Sequence, residues 1–166
     1  MHRILIADDE AEILDIMSEV LRKRGFEVIA AQSGEEALEM LAKEKIDLLI
    51  LDKRMPGIGG IGVLKELKAK NMDLPVIILT GSQDTPERTA EFRKLGYNDF
   101  LFKPVDLHTL LNMVCKKLNI KTQELSLHIA GHKGQVLLPI GRSEGVNGGR
   151  KKDPHCRRRT RNKKIN

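Results

Sequence analysis

Aromatic side chains are nearly missing: the 166 residues include no Trp, one Tyr and four Phe. Any core must therefore be aliphatic, and stacking on nucleic-acid bases has little to draw on. Cysteine is scarce as well. Cys115 and Cys156 show no paired spacing, which excludes a disulfide framework and favours a reducing compartment. No apolar run approaches the roughly 18 residues of a membrane span. Met1-His2-Arg3 leads straight into Ile4-Leu5-Ile6-Ala7, too short a run for a secretory signal. The expectation is a soluble, cytoplasmic protein that does not engage a membrane.

The formal net charge of +6 hides a split. Residues 1–120 carry 17 Lys and Arg against 20 Asp and Glu, whereas residues 121–166 carry 12 against 3. The second segment has Gly-rich stretches, one apolar patch at 136–140 and a basic run from Arg150 to Lys164, without Phe, Tyr or Trp. Such a composition buries no core of its own and predicts a disordered tail.

Before residue 120, continuous aliphatic runs alternate with helical periodicity. The runs lie near 4–7, 26–30, 47–51, 75–79 and 98–102. Between them, stripes such as Ile13, Ile16, Met17, Val20 and Leu21, or Leu107, Leu110, Leu111, Val114 and Leu118, mark helices. Gly25 suits a helix C-terminus, Asp9 with Glu12 and Ser33 with Glu36 suit helix starts, and Thr85-Pro86 opens the fourth helix. Strands buried on both faces and joined by helices predict a doubly wound α/β fold with a five-stranded parallel sheet, spanning about residues 1–120.

Parallel strands deliver whatever follows them to one sheet edge. Asp8-Asp9 follow the first run, Asp52 the third, Thr80 the fourth and Lys103 the fifth. Three carboxylates, a hydroxyl and an ammonium then converge, a set suited to handling a phosphoryl group. Hard carboxylate oxygens suit Mg²⁺, which keeps several waters and takes few protein ligands, so Asp9 and Asp52 with Asp8 in support is a sensible count. Singly, each residue has a plainer role: Asp9 as a helix cap, Asp52 in a turn before Pro56-Gly57, Thr80 at a loop entry, Lys103 as a solvated charge and Phe100 in the core.

In this order and spacing, Asp8-Asp9, Leu51-Asp52-x-x-Met55-Pro56-Gly57, Thr80-Gly81 and Lys103-Pro104 resemble the receiver domain of two-component response regulators, over about residues 1–120. The resemblance implies a flavodoxin-like receiver fold that is not an enzyme in its own right but assists its own phosphorylation and dephosphorylation. Asp52 would be the phosphoacceptor, charged by a sensor histidine kinase or phosphotransfer protein. Mg²⁺ would sit on Asp8, Asp9, Asp52 and the backbone carbonyl of Arg54. Lys103 and Thr80 would stabilise the phosphoryl group, and Thr80 with Phe100 would form the switch that remodels the face of the fourth helix and fifth strand. A cis Lys103-Pro104 bond is also implied, and family analogy allows a homodimer through the fourth-helix face. Two departures stand out. Gly59-Gly60 replaces the Asp-Gly of many relatives, so the loop 57–62 is expected to be mobile. Arg54 places a long cation near the site and is expected to alter the lifetime of the phosphoaspartate.

Three functional classes fit these features: a receiver signalling through an output partner the sequence does not name, a regulator whose basic tail binds nucleic acid weakly, and an aspartyl-nucleophile phosphohydrolase. The last usually carries Asp-x-Asp after the first strand, whereas here Asp8 and Asp9 are contiguous. The tail binding would be electrostatic and salt-sensitive. His128, His132 and His155-Cys156 lack compact zinc-ligand spacing.

Overall fold

A computed structural model describes residues 1–81 and 86–121, except the side chains of 86–88. The expectations for the tail, including its disorder, its nucleic-acid contacts and its His/Cys cluster, lie outside these residues, as does Thr85. Ten elements alternate strictly: β1 (Arg3–Ala7), α1 (Ala11–Lys23), β2 (Glu27–Ala31), α2 (Gly34–Lys43), β3 (Leu48–Asp52), α3 (Gly59–Ala69), β4 (Val76–Gly81), α4 (Pro86–Lys94), β5 (Phe100–Lys103) and α5 (Leu107–Lys117). Every predicted run became a strand. The bounds of β2 to β5 lie one or two residues further toward the C-terminus, and Asp52, Thr80 and Lys103 still pair in the ladder.

The sheet is all parallel in the order β2-β1-β3-β4-β5. Strand order reverses beside β1, which opens a crevice between the C-terminal ends of β1 and β3. Alternate side chains serve two apolar layers. Ile4, Ile6, Leu48, Ile50, Ile77, Leu79 and Leu101 pack with Leu14, Met17 and Leu21 of α1 and Leu110 and Val114 of α5. Leu5, Ala7, Leu49, Leu51, Val76 and Ile78 pack with Ala37, Leu41, Val63, Leu64, Leu67 and Phe92 of α2 to α4. Among the described residues, no helix is long and apolar enough to cross a membrane.

Four helices stop in the same way. Gly25, Asn71, Gly96 and Asn119 adopt φ of 84°, 52°, 90° and 54°. After each, an apolar residue sends its amide back to the last helical turn: Phe26 to Leu21, Met72 to Leu67, Tyr97 to Phe92 and Ile120 to Cys115, at 2.9–3.2 Å. These are Schellman stops, which satisfy terminal carbonyls and turn the chain with an apolar residue pointing inward. At α2 the expected start forms with one shift: Ser33 Oγ caps the Glu36 amide at 3.1 Å, while Glu36 Oε2 reaches one residue past the N-cap to accept the Gln32 amide at 2.7 Å.

The start of α1 differs from expectation. Its N-cap is Glu10, which makes no side-chain cap, and Asp9 does not cap the helix. Instead the buried Asp8 accepts the Glu10 amide through Oδ1 at 2.9 Å, so a neighbour takes the local role and Asp9 stays exposed. The buried stripe of α1 is also offset. It runs Leu14, Met17, Ser18 and Leu21, while Ile16 is 53% exposed. Leu14→Ala should therefore destabilise the protein by about 2–5 kcal/mol, while Ile16→Ala should change stability by less than about 0.5 kcal/mol. Urea unfolding of the two variants measures this, and equal losses would contradict the offset.

Candidate functional site

The C-terminal rim of the sheet collects the residues that the motifs singled out. Ladder pairs set them level: Ala7 beside Leu51, Asp52 beside Leu79, Thr80 beside Phe102 and Gly81 beside Lys103. Asp8 and Thr80 are fully buried and Asp52 is 4% exposed. Lys103 reaches in from the edge strand. Its Nζ lies 2.8 Å from Asp8 Oδ2 and 3.1 Å from Asp52 Oδ1. The remaining Asp52 oxygen, Oδ2, accepts the Arg54 amide at 2.7 Å.

Lys103 has a third partner that the motifs did not indicate, Glu10 Oε1 at 2.8 Å. No spacing rule could have found it, since the two residues are 93 positions apart and Glu10 itself is exposed. Asp8, Asp9 and Asp52 bring one carboxylate oxygen each to within 4.8 Å of one another. One ammonium among four carboxylates leaves the rim short of positive charge. An all-oxygen set of this size fits a hard divalent cation that retains water ligands.

Burial and charge pull on these groups in opposite directions. Removal from water raises the Asp52 carboxyl above the usual carboxylate range, against the Lys103 ammonium and the Arg54 amide, which lower it; the Asp8 charge adds to the rise. For Lys103, burial lowers the ammonium, but hydrogen bonds to Asp8, Glu10 and Asp52 outweigh it and leave the group raised and charged.

Arg54 is exposed, and its guanidinium lies against Gly81. A Cβ at position 81 would come within 2.6 Å of Arg54 Nη2, so the absence of a side chain there lets the cation reach across from β3 to the end of β4. Phe100, the expected switch aromatic, is half-buried. Its ring meets Phe92 edge-on at 6.4 Å and carries the Arg93 guanidinium at 4.9 Å. Phe102, two residues on, is 54% exposed. Lys103-Pro104 is cis.

The sequence model of the response regulator receiver domain matches residues 4–115. Sporulation initiation phosphotransferase F of Bacillus subtilis is 34% identical over 120 residues, covering 72% of this chain and 96% of its own. The probable transcriptional regulator ycf27 of Cyanidium caldarium is 34% identical over 127 residues, covering 75% of this chain and 50% of its own. The chain thus spans about half the length of that curated relative. A solved receiver domain, that of the Francisella response regulator 1452, superposes with a TM-score of 0.66 at 31% identity, covering 72% of this chain and 98% of its own.

A carboxylate held in such a place costs stability when ionised. Asp52→Asn, which keeps the shape and leaves Lys103 paired with Asp8 and Glu10, should raise the thermal midpoint near neutral pH without added divalent cation. Because the folded-state value of Asp52 is raised, the wild-type carboxyl takes up a proton as pH falls and the gain should fade toward about pH 4. Thermal unfolding across that range measures it; an Asn variant less stable than wild type at neutral pH would contradict the electrostatic account.

Proposed function

The chain belongs to the response regulator receiver family, and on that premise we propose that Asp52 accepts a phosphoryl group from a sensor histidine kinase or phosphotransfer protein and passes the signal on through the α4–β5 face. The observation that carries the proposal is the joint contact of Lys103 with Asp8 and Asp52 at the switch point of the sheet. Residues 1–120 would act as the receiver domain and residues 121–166 as a separate basic tail, in the cytoplasm.

The reaction asks for an in-line attack by a carboxylate oxygen on a phosphoryl group, with the negative charge of both partners offset. Asp52 is held for that attack by the Arg54 amide, which fixes one oxygen, and by its place at the end of a fully buried strand. Lys103 supplies a point charge toward the incoming oxygens, and Thr80 Oγ1 a hydroxyl donor beside them. Asp8, Asp9, Asp52 and the Arg54 carbonyl are the groups that would hold Mg²⁺, which supplies charge neutralisation and a template for the phosphoryl oxygens. The same carboxylate then carries about two negative charges. Thr80 would turn toward them and Phe100 would rotate inward, leaving its contacts with Phe92 and Arg93.

Incubation of the full chain with Mg²⁺ and acetyl phosphate, followed by intact-mass measurement, tests the assignment. The wild type should gain one phosphoryl mass and Asp52→Ala none; a gain in both would move the acceptor elsewhere. Arg54 gives a second test. Its guanidinium, seated on Gly81 beside Thr80, narrows the approach of water to a phosphoryl group on Asp52 and adds positive charge near it. Arg54→Ala should shorten the phosphoaspartate lifetime severalfold, as read from the decay of the phosphoryl mass after donor removal, and an unchanged decay would exclude this role.

A further inference from the structure

The segment that follows Asp52 carries little of its own to hold it in place. Gly57, Gly59 and Gly60 fall within nine residues of the acceptor. The N-cap of α3 is Ile58, which makes no side-chain cap, and the first turn contains no acidic residue. Helix N-termini present unsatisfied amides and a partial positive charge that a nearby carboxylate normally meets. In this chain that carboxylate arrives from another helix. Glu35 Oε1, in the first turn of α2, accepts the Ile58 amide at 3.1 Å.

The surrounding glycines are shaped to this contact. At Gly57, where φ is +76°, a Cβ would fall within 2.8 Å of the Glu35 carboxyl carbon. The Ile58 side chain is clasped between Gly34 and Gly62, where a Cβ on either would approach it to 2.7 Å. Glu35 itself projects from a fixed base, because the Ser33 cap on the Glu36 amide and the Glu36 contact with the Gln32 amide secure the start of α2. The far end of the loop bears directly on the acceptor. Gly60 sends its amide to the Lys53 carbonyl at 3.3 Å, and a Cβ there would lie 2.5 Å from the Asp52 carbonyl oxygen. Glu35 thus holds Ile58 at one end of the turn, and two residues further along the chain Gly60 rests on the backbone of Lys53 and Asp52.

We propose that Glu35 is a positioning residue for phosphoryl acceptance: by capping α3 from α2 it sets the course of residues 53–58, and with it the Arg54 amide and carbonyl, around Asp52. The inference rests on the phosphoacceptor reading and adds to it a carboxylate that takes the place of the Asp absent at position 59. Small displacements of a positioned group cost large factors in rate, so the effect should be kinetic rather than a simple loss of folding.

The test uses the full chain as wild type, Glu35→Ala and Glu35→Gln. Two quantities are read: hydrogen exchange of the Arg54 and Ile58 amides, and the rate of phosphoryl mass gain from acetyl phosphate at saturating Mg²⁺, normalised to folded protein. Glu35→Ala should speed exchange at both amides and slow mass gain about tenfold, while Glu35→Gln, whose amide oxygen can still accept the Ile58 N–H, should recover most of both. Wild-type exchange and rate in Glu35→Ala would overturn the proposal, as would a loss in Glu35→Gln equal to that in Glu35→Ala. If the wild type itself gains no mass, the phosphoacceptor reading fails, and unchanged exchange at Arg54 and Ile58 in Glu35→Ala then removes the loop role as well.

Discussion

One ammonium holds the rim of this sheet together. Lys103 bridges Asp8 from β1's end, Asp52 from β3's end and Glu10 from the turn into α1. Like charges no more than 4.8 Å apart repel by roughly 3 kcal/mol or more per pair at an effective dielectric of about 20, so a cation among the carboxylates offsets a substantial cost. A single lysine relieves only part of that repulsion. The rim is therefore left with an unmet demand for positive charge, and under the proposed function that demand would be met by a divalent cation taken up together with a phosphoryl group.

This arrangement constrains the fold more tightly than the core does. Aliphatic residues in the two apolar layers exchange for one another at modest cost when volume is kept. The rim has no such freedom, because Lys103 meets its partners only if β5 is in register with β4 at Gly81 and the ends of β1 and β3 are level through Ala7 and Leu51. A slip of one residue in a ladder would turn every side chain to the opposite face. In β3, aliphatic and buried on both faces from Leu48 to Leu51, the residue that distinguishes one register from the next is Asp52 at its end.

Local chemistry was legible in the sequence where it was local in fact. The aliphatic runs, the Ser33 cap on Glu36 and the glycine stop of α1 all act within a few residues, and the conjunction of Asp8-Asp9, Asp52, Thr80 and Lys103 followed once the strands were taken as parallel. Failures came where distant residues decide. Asp9 has the right identity and spacing for a cap, but the helix begins one residue later, with Glu10 at the N-cap and its amide held by Asp8. Ile16 is as apolar as Leu14, yet α1 turns Leu14 into the apolar layer and leaves Ile16 on the solvent side. At the glycines after Asp52 both conformational freedom and close approach count: Gly57 and Gly59 take positive φ, and a Cβ on Gly60 would meet the Asp52 carbonyl oxygen.

Under the proposed reading, a charge added at Asp52 must be felt somewhere, and the anchoring of the elements indicates where. Asp52 ends β3, which lies between β1 and β4 in the sheet, with Leu14, Met17 and Leu21 of α1 and Ala37 and Leu41 of α2 buried in the two apolar layers. On the other side, among the described residues, α4 buries only Phe92 and Thr89, and β5 is an edge strand with a ladder on one side alone. Elements with few buried contacts open at the lowest free energy. Lys103, one of the two groups that would face the phosphoryl oxygens, stands on this edge strand, while Thr80 is buried on β4, which pairs on both sides. A displacement there would be felt by Phe100, whose half-buried ring packs at the margin of the apolar layer, edge-on to Phe92 and under the Arg93 guanidinium. The same side of the molecule that supplies the cation for the chemistry is thus the side that can yield to it.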